Sequence, residues 1–141
     1  MKHRFLEKAN KKPKLPNLSE YAIHCQIAQY LDLVIKFPSR WHTVEVSNHG
    51  YGKAAMINQM MDKKKGVRTS WPDIEIIEVT DDGWGFHSVM RLIFLEVKVP
   101  GQKPTEKQEA LHAELRQEGH HVSVVTSIED VEKILKELGV I

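Results

Sequence analysis

A chain of 141 residues, 41% hydrophobic and 28% charged, has the size of one domain and is long enough to bury a core without disulfide or metal staples. Its single cysteine, Cys25, excludes intramolecular disulfides and thiolate zinc clusters, and no apolar run reaches membrane-spanning length, so the expectation is a cytoplasmic protein with no membrane partner. The net charge of +1 is unevenly spread: residues 1–72 hold thirteen Lys/Arg against five Asp/Glu and residues 73–141 hold seven against fourteen, the asymmetry either of an acidic centre beside a phosphate-binding surface or of two solvated faces.

Residues 1–18 carry Lys8, Lys11, Lys12 and Lys14 with Pro13 and Pro16 and no periodicity, and read as a basic N-terminal arm ahead of a domain over residues 19–141. Ser19 is placed to cap a helix running to about Lys36, with Ile23, Ile27, Tyr30, Leu31, Val34 and Ile35 on one stripe. Glu20 lies on that stripe in the first turn, where the helix dipole alone accounts for an acid. Phe37 and Pro38 break the helix, residues 41–46 alternate as a first strand, and Asn48, His49 and Gly50 turn the chain. Asn48 and His49 are donors that could meet a phosphate or base, although Asn-x-Gly is ordinary turn chemistry. Residues 53–65 form a second helical candidate with Ala55, Met56 and Met60 and a basic end at Lys63, Lys64 and Lys65. Together with Lys53 and Arg68 these lysines are the candidate contacts to nucleic-acid phosphates, while cations in a last turn also complement the helix dipole.

The centre of the chain reads as a β-hairpin with acids on it. The runs 71–77 and 92–99 are β-branched or aromatic and alternate in polarity, and the segment 80–86 between them carries turn chemistry. A turn near Gly83 and Trp84 pairs residues whose numbers add to about 169, which sets Asp73 opposite Glu96. Opposed residues of an antiparallel pair have Cβ atoms roughly 5 Å apart, so the two carboxylates repel unless a cation lies between them. Lys98, two residues after Glu96, points to the same face. Two carboxylates with the Val97 backbone carbonyl beside them suit Mg²⁺ or Mn²⁺, and an ammonium there could orient or deprotonate a water. The competing reading is an exposed polar face with an ordinary Glu–Lys ion pair.

Beyond the hairpin, Thr105 and Gln108 have capping-box spacing at the start of a helix whose stripe continues through Leu111 and Leu115, so Gln108 either caps that helix or contacts the reacting water or phosphate. Gly119 ends the helix, residues 122–125 form a short buried strand, and Ser127 with Asp130 caps a last helix carrying Val131, Ile134, Leu135 and Leu138. His120 and His121 fall on opposite faces of the strand edge and cannot line one site together. The order α, β, α, β-hairpin, α, β, α predicts an α/β fold in which an antiparallel meander gains one parallel strand through a right-handed crossover, flanked by helices.

Pro72 and Asp73 followed by Glu96, Val97 and Lys98 resemble the Pro-Asp…(Asp/Glu)-x-Lys signature of the restriction-endonuclease-like nucleases. Glu20 and Gln26 on the first helix, the run from Ser47 to Gly50, Gly66 ahead of the Pro-Asp, and Gln108 after the Lys strand extend the similarity to the virus-type replication-repair nuclease branch, over roughly residues 19–134. Two departures stand out: Ser70 where that branch usually has Gly, and His49 where it often has an acid. The resemblance implies a restriction-endonuclease-like core and a metal-dependent DNA endonuclease that uses Mg²⁺ or Mn²⁺. It makes Asp73, Glu96 and Lys98 catalytic, Glu20 an acid near the metal that acts directly or through water, and Gln108 a supporting residue. It also implies branched or duplex DNA as partner, with a four-way junction as the favoured form for a stand-alone member, and a homodimer, since a single domain with one site needs a two-fold mate to incise paired strands symmetrically. A non-catalytic nucleic-acid-binding module on the same fold, or an enzyme that nicks or cuts flaps, are the alternatives.

Overall fold

The computed structural model of the chain describes residues 18–44, 52–65 and 70–141. In chain order the elements are α1 (Glu20–Val34), β1 (Arg40–Thr43), α2 (Lys53–Lys65), β2 (Ile74–Asp81), β3 (His87–Val97), α3 (Glu106–Gln117), β4 (His121–Val125) and α4 (Ile128–Glu137). The four strands form one sheet in the order β1-β2-β3-β4, antiparallel through β3 and parallel between β3 and β4. This is the α/β, mixed-sheet architecture that the element order predicts, with α3 as the crossover helix.

Strand alternation divides the interior into two cores. Ile74 and Ile76 of β2 with Ile93, Leu95 and Val97 of β3 turn to one face, where Ile23, Ile27 and Leu31 of α1 and Val131 and Leu135 of α4 cover them. Phe94 and Val122 turn to the other face and pack with Leu115 of α3, flanked by Trp71, Leu92 and Leu111. β3 is thus apolar on both sides over residues 93–95 and 97, the pattern of a central strand covered on both faces.

Capping chemistry sets the helix starts. Ser19 Oγ accepts the Ala22 N–H, Ser127 Oγ accepts the Asp130 N–H, and Thr105 and Gln108 close a full capping box. α1 ends at Val34, two residues short of the expected limit, because the chain turns extended at Ile35 ahead of the Phe37–Pro38 turn. β1 covers four of the residues expected in the first strand or next to it, and Glu45 and Val46 lie outside the described residues.

The hairpin differs from its expected limits at both ends. β2 starts at Ile74 rather than at Trp71, since Pro72 has no N–H to give the ladder. β3 begins five residues early, at His87, because the hairpin projects past both helical layers, where exposed Ser88, Val89 and Met90 carry no burial pattern that would mark a strand. Asp82 Oδ1 accepts the N–H groups of Trp84 and Phe86 and holds the tip, and Gly83 and Gly85 supply its positive φ angles. Register follows the expected sum of 169 from the Glu78↔Arg91 pair to Ile74↔Leu95, and an irregularity between Glu78 and Val79 shifts only the outer part by one. Arg91 reaches from the hairpin to Glu78 and to the Leu138 carbonyl at the end of α4.

No helix among the described residues is long and apolar enough to cross a membrane. Cys25 is half-buried on α1, as expected of a small filler. His120 and His121 keep apart: His120 stands edge-on to Phe94 at 5.8 Å, and His121 Nε2 lies 2.6 Å from Ser123 Oγ.

Candidate active site

Pro72 ends the approach to β2, and Asp73 follows it just beyond the last ladder pair, Ile74↔Leu95. Asp73 is tied to both neighbouring strands there: its carbonyl accepts the Val44 N–H at 2.8 Å, and its Oδ2 accepts the Val97 N–H at 2.7 Å. The second bond crosses from the head of β2 to the foot of β3 and keeps Asp73 in the register that sets it against Glu96. Oδ1 of Asp73 takes no hydrogen bond among the described residues.

Glu96 lies on the same face as Phe94, under α3, and is only 1% exposed. Three donors meet its carboxylate. Gln108 Nε2 donates to Oε1 at 2.8 Å, Lys98 Nζ stands 3.3 Å from the same oxygen, and His112 Nε2 lies 3.4 Å from Oε2. Lys98 is itself largely enclosed, with 13% of its side chain exposed. The Glu–Lys ion pair of the bland reading is therefore present, but it is buried rather than part of a solvated polar face.

Gln108 does two things at once. Its Oε1 accepts the Thr105 N–H at 2.9 Å, and its own N–H donates to Thr105 Oγ1 at 3.2 Å, so the amide oxygen is committed to the cap. An N–H can only donate, which turns the amide nitrogen toward Glu96. Helix capping and contact with the site, alternatives in the sequence, are here one arrangement.

Electrostatics follow from this enclosure. Burial, and after it the charge of Asp73, push the Glu96 carboxyl up to about 7, against the opposing ammonium of Lys98; the Glu20 carboxylate adds a smaller upward push. Burial also pushes His112 down, helped by Arg116, which favours the neutral ring; facing the ionised form of Glu96, a ring nitrogen at this distance serves as a donor from Nε2.

The remaining predicted residues fall in three places. Glu20 opens α1 with an exposed side chain, on the helix that packs against the opposite face of the sheet, and only its field reaches Glu96. Lys53 opens α2 and Lys63, Lys64 and Lys65 close it, all exposed; among the described residues no hydrogen bond or ion pair joins Lys53, Lys63 or Lys64 to Asp73, Glu96 or Lys98. Asn48, His49 and Arg68 lie outside the described residues, as do residues 1–17 of the arm. The residue that sequence reasoning passed over is His112. Its spacing of four from Gln108, on the stripe between Leu111 and Leu115, was the available signal, and on that stripe it read only as a helix residue.

Among the described residues no group of three or more His, Cys, Asp or Glu side chains is gathered as a metal site. The donors that do converge are two carboxylates, with the Val97 backbone next in the chain. That hard oxygen set is too small for a protein-only cage but matches Mg²⁺ or Mn²⁺, which keep several waters and take one or two carboxylates. The fit also shows in what the pair lacks: a carboxylate driven toward protonation by burial and then by Asp73, whose Oδ1 takes no hydrogen bond among the described residues, would be relieved by a cation between them.

Comparison with protein-family models, with curated proteins and with solved structures finds no match to this chain.

The raised Glu96 makes a prediction for the metal-free protein. Because its folded pKa lies above the ordinary value of 4.5, the stability it confers is fully present below that value and is lost as pH rises toward about 7. Glu96→Gln, which removes the charge and keeps the shape, should stabilise the protein in EDTA at pH 8 by up to about 3 kcal/mol and hardly at all at pH 4.5. Urea unfolding at the two pH values measures this, and an equal gain at both would contradict the buried, strained carboxylate.

Proposed function

We propose that the protein is a metal-dependent endonuclease that hydrolyses DNA phosphodiester bonds, with Asp73, Glu96 and Lys98 as its catalytic residues. The observation that carries this reading is the convergence, under α3, of a buried Glu96, an Asp73 in register against it and an enclosed Lys98. A binding module has no use for two acids held against each other at the cost of burial. The mixed sheet with its parallel fourth strand and the order of the motif, Pro-Asp just before β2 and Glu-x-Lys at the end of β3, support membership of the virus-type replication-repair nuclease family.

Each residue has a role its surroundings support. Asp73 Oδ1, Glu96 and the Val97 carbonyl would hold Mg²⁺ or Mn²⁺, which when bound supplies charge neutralisation at the scissile phosphate and a water of lowered pKa. Gln108 keeps the Glu96 carboxylate oriented from the capped end of α3. Lys98 orients the attacking water and offsets charge that builds on the phosphate. Glu20, exposed in the first turn of α1, is suited to a metal-bound water rather than to the metal itself. The exposed lysines of α2 supply phosphate contacts of the kind that make binding salt dependent.

The substrate we propose is paired or branched DNA cut by a two-fold dimer, with a four-way junction as the preferred form. The exposed apolar residues on the projecting hairpin, Trp84, Phe86, Val89 and Met90, are surface available to a second subunit.

Four outcomes test the reading. Plasmid, duplex and four-way-junction DNA should be cut in Mg²⁺ or Mn²⁺ but not in EDTA, and Ca²⁺ should support binding with little cleavage. Asp73→Ala and Glu96→Ala should lose cleavage by at least about a hundredfold, and a variant of either residue that cuts at near wild-type rate would falsify the assignment. Lys98→Ala should lower kcat far more than DNA affinity, whereas a loss mainly of affinity would make the lysine a plain phosphate contact. Light scattering should give two chains per particle, alone or on a junction; a monomer in both states without symmetric incision would favour nicking or flap cutting.

A further inference from the structure

His112 is 2% exposed and has one polar partner among the described residues, the Glu96 carboxylate. A buried imidazole is costly where leucine would pack, and on this stripe of α3 its neighbours Leu111 and Leu115 are apolar. Its position is matched to that of Gln108. The two residues stand one helical turn apart on α3 and reach different oxygens of the same carboxylate, Gln108 at Oε1 and His112 at Oε2.

We propose that His112 is a positioning residue: its Nε2–H, together with the Gln108 amide, pins the Glu96 carboxylate in the one rotamer in which it can share a divalent cation with Asp73. The inference rests on the metal-site reading given above and deepens it. A carboxylate has about four lone-pair sites, so two donors from α3 and one from Lys98 leave at least one site open for the cation. Donors on Oε1 alone, from Gln108 and Lys98, would leave Oε2 unrestrained about the last torsion, which is broad for a glutamate. The His112 donor on Oε2 removes that freedom. Both come from a helix whose first turn is locked by the Thr105 and Gln108 capping box, so the restraint is carried by backbone rather than by a loop. Outer partners of this kind typically contribute 10- to 100-fold in metal affinity.

The test measures Mn²⁺ binding to the full chain without DNA, by electron paramagnetic resonance of the free ion and by calorimetry. His112→Met fills the space without a donor, and His112→Gln fills it with one. The Met variant should bind Mn²⁺ about 10- to 100-fold more weakly than the wild type, and the Gln variant should recover to within a few-fold. DNA affinity in EDTA should be the same for all three proteins. Metal-free melting temperatures report on packing separately, and a merely structural histidine would lower the melting temperature without separating Met from Gln in Mn²⁺ affinity. If the Met variant does not fold, His112→Leu takes its place as the variant without a donor. Wild-type Mn²⁺ affinity in the non-donor variant, or equal losses in both variants, overturns the role of His112 alone. A wild-type chain that binds no Mn²⁺, or whose binding survives Asp73→Ala, overturns the metal-site reading and this inference together.

Discussion

The burial of one carboxylate organises the functional end of this molecule. Glu96 sits at the foot of β3, an internal strand with helices over both faces, and is almost wholly enclosed by protein. An ionised carboxylate moved out of water costs several kcal/mol unless donors replace the lost hydration. Three donors do so in part, from Gln108, His112 and Lys98, while Asp73 works against them. The result is a carboxyl held between its charged and protonated forms near neutral pH, the property on which the proposed metal role rests.

The two faces of the sheet divide the labour. The face under α1 and α4 is apolar through its centre, and its isoleucines, leucines and valines hold β2 and β3 in place, with the Glu78–Arg91 pair at its outer edge. The face under α3 begins in the same way, with Phe94, Leu115 and Val122, and then turns polar toward the foot of β3. That change within one layer lets a rigid packed core support polar chemistry a single residue away. The Val97 side chain belongs to the first core while its N–H holds Asp73, so apolar packing directly restrains an acid of the site.

The capping box of α3 connects local structure to the site. Such a box ordinarily satisfies helix N–H groups and nothing more. Here the spare donor of its glutamine reaches a buried carboxylate, so the geometry of a helix start and of the Glu96 carboxylate are set by the same side chain. The helix also brings His112 to the other oxygen without a further loop or turn.

Much of this was legible in the amino-acid order, because it depends on short-range periodicity. The turn chemistry around Gly83 sets the hairpin register, and register alone puts Asp73 against Glu96 and turns Lys98 to the same side. Ser19, Thr105 and Ser127 mark three helix starts correctly, since a cap depends on residues within three positions. The mixed sheet follows from element order and the handedness of the crossover. Tertiary structure alone decided the rest. The sequence set Glu96 against Asp73 but left open whether that face is solvated, because burial is a property of what packs above a residue, here α3, rather than of its neighbours in sequence. His112 read as a residue on an apolar helix stripe, because the meaning of a histidine lies in its partner, here sixteen residues away on another element. Glu20 shares its stripe with core residues and yet remains exposed, since a first-turn position can lie beyond the edge of the sheet its helix covers. Periodicity names the face a side chain takes, and only the packing of one layer on another determines whether that face meets water, carbon or charge.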